Sequence, residues 1–147
     1  MLGANSGLLS KEIDKTKAYI IENTGWEEGM ASSVRIGLST LLQIFPSADA
    51  VIFMVCDQPH VSTSLLNDLI NTQVETSKTI VTCNYGEALG PPALFHKSLF
   101  NELMQLKGDA GARKIIQSHK DEVATVLFAK GTIDIDTNED YEALKNS

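Results

Sequence analysis

Four aspartates, Asp57, Asp109, Asp134 and Asp136, stand at expected strand ends or loops, where carboxylates do chemistry. Asp57 follows the unbroken apolar run Ala50-Val-Ile-Phe-Met-Val-Cys56 and precedes Gln58-Pro59. A run this short, rich in β-branched and aromatic residues, fits a central parallel strand covered on both faces. Proline cannot donate to a sheet ladder, so the strand ends there. In open α/β sheets the ligand crevice lies beyond the carboxyl ends of the strands. Asp57 would then meet a metal ion or a metal-bound phosphate; equally, it could serve only to open a turn. Asp136 closes Thr132-Ile-Asp-Ile-Asp136, whose alternation is that of a half-exposed strand. Thr137-x-x-Asp140 next to it forms a capping box for a last helix. Carboxylates converging from two strand ends suit a hard divalent ion that keeps several waters and bridges phosphate oxygens. The expectation is that Asp57 and Asp136 approach closely enough to share one ion.

The elements that must position these acids follow from periodicity. Ser10 is a candidate N-cap for a short helix through Lys17, and Tyr19-Ile20-Ile21 reads as a brief strand. Gly25-Trp-Glu-Glu-Gly-Met30 is a loop between glycines, with Trp26 its anchor. A helix from Ala31 to about Phe45 turns Val34, Leu38, Leu41, Leu42 and Phe45 inward. Ser32 and Ser33 sit at its start beside unpaired backbone N–H groups, a place that favours anions and polar ligand edges. Arg35, one turn in, is either solvated or a cation for that site. Ser62 or Thr63 caps a helix through about Val74, and Thr79–Cys83 is the next strand. Asn84 to Pro91 is a fixed turn in which Tyr85 could lie over a ligand, followed by Pro92-Ala-Leu-Phe95. A short helix covers Ser98 to Leu106. Lys107-Gly-Asp-Ala-Gly-Ala-Arg113 is a second glycine loop running into a helix, where small residues let backbone approach a ligand. Val123 to Phe128 is a further strand.

Composition narrows the class. A chain of 147 residues suits one domain, 1–147, with a real core. The net charge of −7 argues against a nucleic-acid surface, though not against a nucleotide held with a divalent cation. No apolar stretch approaches a membrane span, so no membrane partner is expected. Cys56 and Cys83, without a CxxC pair, point to a reducing cytoplasm, and both read as small core residues. No Walker A sequence or GxGxxG occurs, and the three histidines have no ligand spacing. The whole reads as an α/β layered domain with several parallel-type strands.

Five segments occur in register: Gly29-Met-Ala-Ser-Ser-Val-Arg-Ile-Gly-Leu38, Asp57-Gln-Pro59, Gly90-Pro-Pro-Ala-Leu-Phe95, Gly108-Asp-Ala-Gly-Ala-Arg113 and Asp134-Ile-Asp-Thr-Asn-Glu-Asp140. Together they resemble the molybdenum cofactor cytidylyltransferase branch of the MobA-like nucleotidyltransferases. The resemblance implies a three-layer Rossmann-like fold with a mostly parallel sheet, and transfer of CMP from CTP to a molybdopterin-type phosphate with release of pyrophosphate. It implies that Asp57 and Asp136, with Asp134 as the alternative, hold Mg²⁺ or Mn²⁺. Gly29, Ser33, Gln58 and Pro59 would contact the nucleotide; Gly90, Pro92, Gly108, Asp109 and Arg113 would lie near the acceptor. Family members often carry histidine where Pro91 stands.

Those relatives open with a first strand and a glycine-rich loop that wraps the triphosphate, whereas Met1–Asn5 already resembles their next strand and turn. The resemblance therefore implies the C-terminal portion of the domain and weak binding of CTP with Mg²⁺. An unpaired sheet edge would follow, inviting a homodimer. Two other readings stay open. One is a catalytically impaired remnant that binds cofactor or partner; the other is a nucleotidyltransferase for another phosphorylated acceptor.

Overall fold

The computed structural model describes residues 1–13 and 18–146, apart from the side chain of Glu12. The chain forms two compact units, Met1–Asp49 with Lys97–Ser118 and Ala50–His96 with His119–Ser147.

In the first unit, helix α1 covers Ser6–Ile13 and α2 covers Met30–Ile44. Ser10 thus lies inside α1 rather than capping it, and the expected extension over 14–17 lies outside the described residues. The brief strand expected at Tyr19–Ile21 is reduced to a single parallel bridge, Leu2 to Glu22. Leu2 and its opposite segment exchange two backbone hydrogen bonds: Leu2 N donates to Ile21 O at 2.8 Å, and Asn23 N donates to Leu2 O at 2.7 Å. On α2, Ala31, Val34 and Leu38 are buried, while Phe45 at the end of the stripe is exposed and meets the Tyr19 ring edge-on. The helix expected at Ser98–Leu106 is shorter, a 3-10 turn Lys97–Leu99 followed by α4, Phe100–Leu103, with Leu99, Phe100, Leu103 and Leu106 buried. Helix α5 covers Arg113–Ser118 and buries Ile115 and Ile116.

The second unit holds the sheet: β1 Ala50–Phe53, β2 Ile80–Asn84, β3 Leu89–His96 and β4 Val123–Leu127, in the order β1-β3-β2-β4. β2 and β4 pair in parallel, and β3 runs antiparallel to both β1 and β2. Three strands therefore share a direction and β3 alone is reversed.

Two expectations fail here, for one reason. The run Ala50–Cys56 is not a central strand: β1 lies at a sheet edge and ends at Phe53, leaving Met54 and Val55 exposed. Pro91 and Pro92 are not in a loop but within β3. Continuing the register Phe53↔Ala93 would set Met54 and Val55 against Pro92 and Pro91, which have no N–H to offer. The same pair interrupts the β2 ladder, whose partners jump from Thr82↔Ala93 to Cys83↔Gly90. Thr82 Oγ1, fully buried, spans the irregularity by donating to Gly90 O at 2.7 Å. The centre of the sheet is β3 and β2; on β2, Ile80 to Cys83 are buried throughout.

Helix α3, Thr63–Thr76, starts at the N-cap Ser62, whose hydroxyl accepts from Leu65 N. Its Leu65 and Leu69 join Val81, Cys83, Leu94 and Phe128 in a core, while Ile70 is exposed. Burial pushes the Cys83 thiol up to about 11; Cys56 is exposed and not a core residue. Helix α6, Asn138–Lys145, opens on the capping box read from the sequence, with Thr137 and Asp140 bonded reciprocally. The strand expected at Thr132–Asp136 is absent. A 3-10 turn, Ala129–Thr132, precedes this stretch, and Ile133, Asp134 and Asp136 are exposed.

Candidate active site

A backbone bond ties the Asp57 segment to the Asp134–Asp136 segment. Ile135 N donates to Asp57 O at 2.8 Å, which sets Asp134 and Asp136 on either side of the residue hydrogen-bonded to Asp57. Asp57 Oδ1 is buried without a hydrogen-bond partner among the described residues. A buried acceptor left unpaired costs about 1–3 kcal/mol, more when charged, so such a group commonly marks a ligand. The oxygen donors here match what a hard divalent ion takes. Among the described residues no three His, Cys, Asp or Glu side chains gather as a metal cluster. An ion held by one or two carboxylates and completed by waters and phosphate oxygens needs no such cluster.

Next to Asp57, Gln58 is 7% exposed and its side chain is committed inward. Its Nε2 donates to Tyr85 OH and to Gly131 O, both at 2.9 Å, and Oε1 is left buried without a partner. Tyr85, expected over a ligand, instead packs in the frame. Its hydroxyl donates to Pro91 O and its ring meets Phe128 edge-on at 6.0 Å between centroids. A Cβ on Gly90 would lie 2.6 Å from the Tyr85 hydroxyl oxygen, and one on Gly131 would strike the ring. Gly90 and Gly131 are thus the space the ring occupies. Burial pushes the Tyr85 phenol above its ordinary 10; the Gln58 hydrogen bond pulls it back, and Cys83, Asp134 and Asp57 raise it further. The phenol therefore stays protonated and able to donate, in the field of two of the candidate acids. Pro92 is less than 2% exposed and, like Gly90, lies in β3 rather than in the expected loop.

The first unit holds the other expected residues. Gly29 is the N-cap of α2 with φ +109°, and Ala31 N donates to Gly108 O at 3.0 Å. Gly108 and Asp109 close over Gly29 so tightly that a Cβ there would meet Asp109 Oδ1 and lie 2.7 Å from the Gly108 carbonyl. An acid at the start of a helix complements its dipole. Arg113 is the first residue of α5 and exposed. Sequence reading passed over Asn23, which is fully buried. Its Nδ2 donates to Ser32 Oγ at 2.8 Å and Ser33 Oγ at 3.0 Å, and its Oδ1 accepts from Gly25 N. The one available signal was the paired serines opening α2, whose hydroxyls need partners.

Arg35 is neither solvated nor free for a phosphate. Its guanidinium forks onto both carboxylate oxygens of Glu28, at 2.8 and 2.6 Å, and also donates to Leu106 O at 2.6 Å. The Arg35 hydrogen bond lowers the Glu28 carboxyl below its ordinary 4.5, against a partial rise from desolvation. A folded-state value below the unfolded one contributes stability above the unfolded pKa, and that contribution is lost as pH falls through the lowered value. Replacing Arg35 by Met should therefore lower Tm at neutral pH, and the two melting curves should converge below 4.5. Melts from neutral to acid pH, with the difference persisting unchanged in acid, would show that the pair contributes nothing.

The fold is that of a nucleotidyltransferase domain. The chain matches the MobA-like NTP transferase domain over residues 2–123 and belongs to that family. Asp57 falls within the match; Asp134 and Asp136 lie beyond it. The chain is 31% identical over 124 residues to the purine catabolism protein PucB of Bacillus subtilis, covering 82% of this chain and 58% of that protein. It thus spans little more than half of that relative. Rv0371c of Mycobacterium tuberculosis superposes with a TM-score of 0.75 at 27% identity, over 99% of this chain and 73% of that one. A structure of Rv0371c with manganese gives 0.73 over 99% and 76%. The molybdopterin-guanine dinucleotide biosynthesis protein A of Archaeoglobus fulgidus shares the fold, with a TM-score of 0.63 at 15% identity over 97% and 74%. No described helix is long and apolar enough to cross a membrane.

Proposed function

We propose that this chain carries the metal-binding acids of a nucleotidyltransferase that moves CMP from CTP to the phosphate of a molybdopterin-type cofactor. The observation that carries the reading is the unpartnered, buried Asp57 Oδ1 beside the Asp134–Asp136 segment. Asp57 would hold Mg²⁺ or Mn²⁺ together with Asp136 or Asp134. The bound ion would neutralise charge on the triphosphate oxygens. An acceptor phosphate oxygen attacks the α-phosphorus, a P–O bond forms, the bond to pyrophosphate breaks, and no covalent enzyme intermediate is needed. The chain's own part is to orient the reacting groups and exclude water. Gly29 and Ser33 are proposed to contact the nucleotide; Pro59 is proposed likewise, and Gln58, whose side chain is committed inward, would serve by holding the Asp57 turn. Gly108, Asp109 and Arg113 are proposed on the acceptor side, and Gly90 and Pro92 are proposed for the same role.

The manganese in Rv0371c supports a divalent requirement, and the cytidylyl choice rests on the resemblance of the Gly29–Leu38 and Asp57–Pro59 segments. The reading places the reaction in the cytoplasm, within one domain spanning 1–147. The outer edge of β1, unpaired among the described residues, supports a strand partner, a second copy being the simplest. The test is pyrophosphate release with Mn²⁺, molybdopterin, and CTP or GTP. Release that needs both acceptor and CTP, with GTP a poor substitute, is the expected result. Equal release from GTP would overturn the base assignment. Tight molybdopterin binding with no release would mark a remnant that binds without turnover.

A further inference from the structure

The geometry points to Tyr85 as a positioning residue for Asp57, acting through the side chain of Gln58. This rests on the divalent-ion reading of Asp57 given above and adds a residue to it. The hydrogen-bond chain admits only one arrangement. Pro91 O can only accept, so the Tyr85 hydrogen points to it. The Tyr85 oxygen is then an acceptor, and Gln58 Nε2 donates to it at 2.9 Å. Gly131 O can also only accept, so the same amide nitrogen, 2.9 Å away, must face it. Two obligate acceptors fix the amide and leave Gln58 no freedom to swing toward a nucleotide.

The Tyr85 hydroxyl thus links Asp57–Gln58 to the proline pair of β3, and Gln58 carries the chain on to the turn holding Gly131. The turn leads directly to Ile135, whose N–H holds the Asp57 carbonyl at 2.8 Å. Gly90, Gly131 and Phe128 fix the ring from its other sides. The result is a closed frame around the backbone of Asp57, in which Asp57 Oδ1 and Gln58 Oε1 are left without partners among the described residues. Tyr85→Phe removes the hydroxyl and keeps the ring. Pro91 O then loses its donor, Gln58 Nε2 keeps Gly131 alone, and the Asp57 turn gains orientations that do not suit an ion.

The experiment is a Mn²⁺ titration of the full chain, followed by the electron paramagnetic resonance of free Mn²⁺, with Tm measured on each variant. Tyr85→Phe should raise the Mn²⁺ Kd about fivefold, the size of one neutral hydrogen bond. Gln58→Met should do at least as much. The double variant should match Gln58→Met alone, because the two groups act as one chain. Asp57→Asn is the control for the site itself. A Tyr85→Phe protein that melts lower but binds Mn²⁺ as tightly as the parent would make Tyr85 merely structural and overturn the inference. Additive effects in the double variant would overturn it too, even if Tyr85→Phe is poorly folded. If Asp57→Asn also leaves Kd unchanged, the divalent-ion reading fails and takes the inference with it.

Discussion

Asp57→Asn should weaken Mn²⁺ binding about 100-fold, some 2.8 kcal/mol at 1.4 kcal/mol per tenfold, and should at the same time raise Tm. The two effects have one cause. Asp57 Oδ1 is buried without a partner in the ligand-free chain, so it is desolvated and uncompensated. The amide has nearly the same shape and no charge. Relief of about 1 kcal/mol corresponds to a rise of about 2–4 °C for a chain of this size. Binding sites often hold such destabilising groups, and their removal trades function for stability. Asp134→Asn and Asp136→Asn should each leave Tm nearly unchanged, since both residues are exposed. Whichever of the two costs about tenfold in Mn²⁺ affinity is the second ligand. A fall in Tm for Asp57→Asn would mean the carboxylate is satisfied in the free chain, and the metal site would lose its main support.

Much of this arrangement was legible because local chemistry repeats at short range. The Thr137–Asp140 capping box, the Ser62 cap of α3 and the α2 stripe around Val34 and Leu38 depend on residues within a few positions of one another. The end of the strand before Asp57 was misread, because β1 stops at Phe53, well before Pro59. What could not be read is which strands pair. β1 looks central by composition, yet its position is decided by β3, whose prolines end the ladder from across the sheet. The alternation of Thr132–Asp136 looked like a strand, but among the described residues it joins no ladder and meets Asp57 through the Ile135 N–H instead. Tyr85 and Asn23 were misjudged for a related reason. Each finds its partners far along the chain, Tyr85 at Gln58 and Asn23 at Ser32 and Ser33. A lone tyrosine in a glycine loop reads as a ligand platform until its hydroxyl is seen to be engaged.

The same distinction between local conformation and distant packing gives the largest expected loss of stability, at Gly29. Two glycines of similar backbone, Gly29 at φ +109° and Gly86 at φ +111°, allow the two costs to be separated. Both angles lie where a side chain is strained, at about 1–2 kcal/mol for a single residue. Around Gly86 there is nothing within 4 Å of a built Cβ, so Gly86→Ala should show the conformational cost alone. At Gly29 the Cβ would lie 2.7 Å from the Gly108 backbone and also meet the Asp109 carboxylate. Backbone cannot turn aside as a flexible side chain can. The Gly108 carbonyl of the segment that would have to retreat also accepts from Ala31 N at 3.0 Å, at the start of α2. Gly29→Ala should therefore cost about 3 kcal/mol or more in all, a fall in Tm of about 6–12 °C or more against about 2–8 °C for Gly86→Ala. Hydrogen exchange gives a local check, because the Ala31 amide should lose protection in the Gly29 variant and keep it in the Gly86 variant. Equal losses of Tm in the two variants would show that the 108–109 loop yields without cost. The Gly29 turn would then be held by its backbone angle alone, and not by the loop that closes over it.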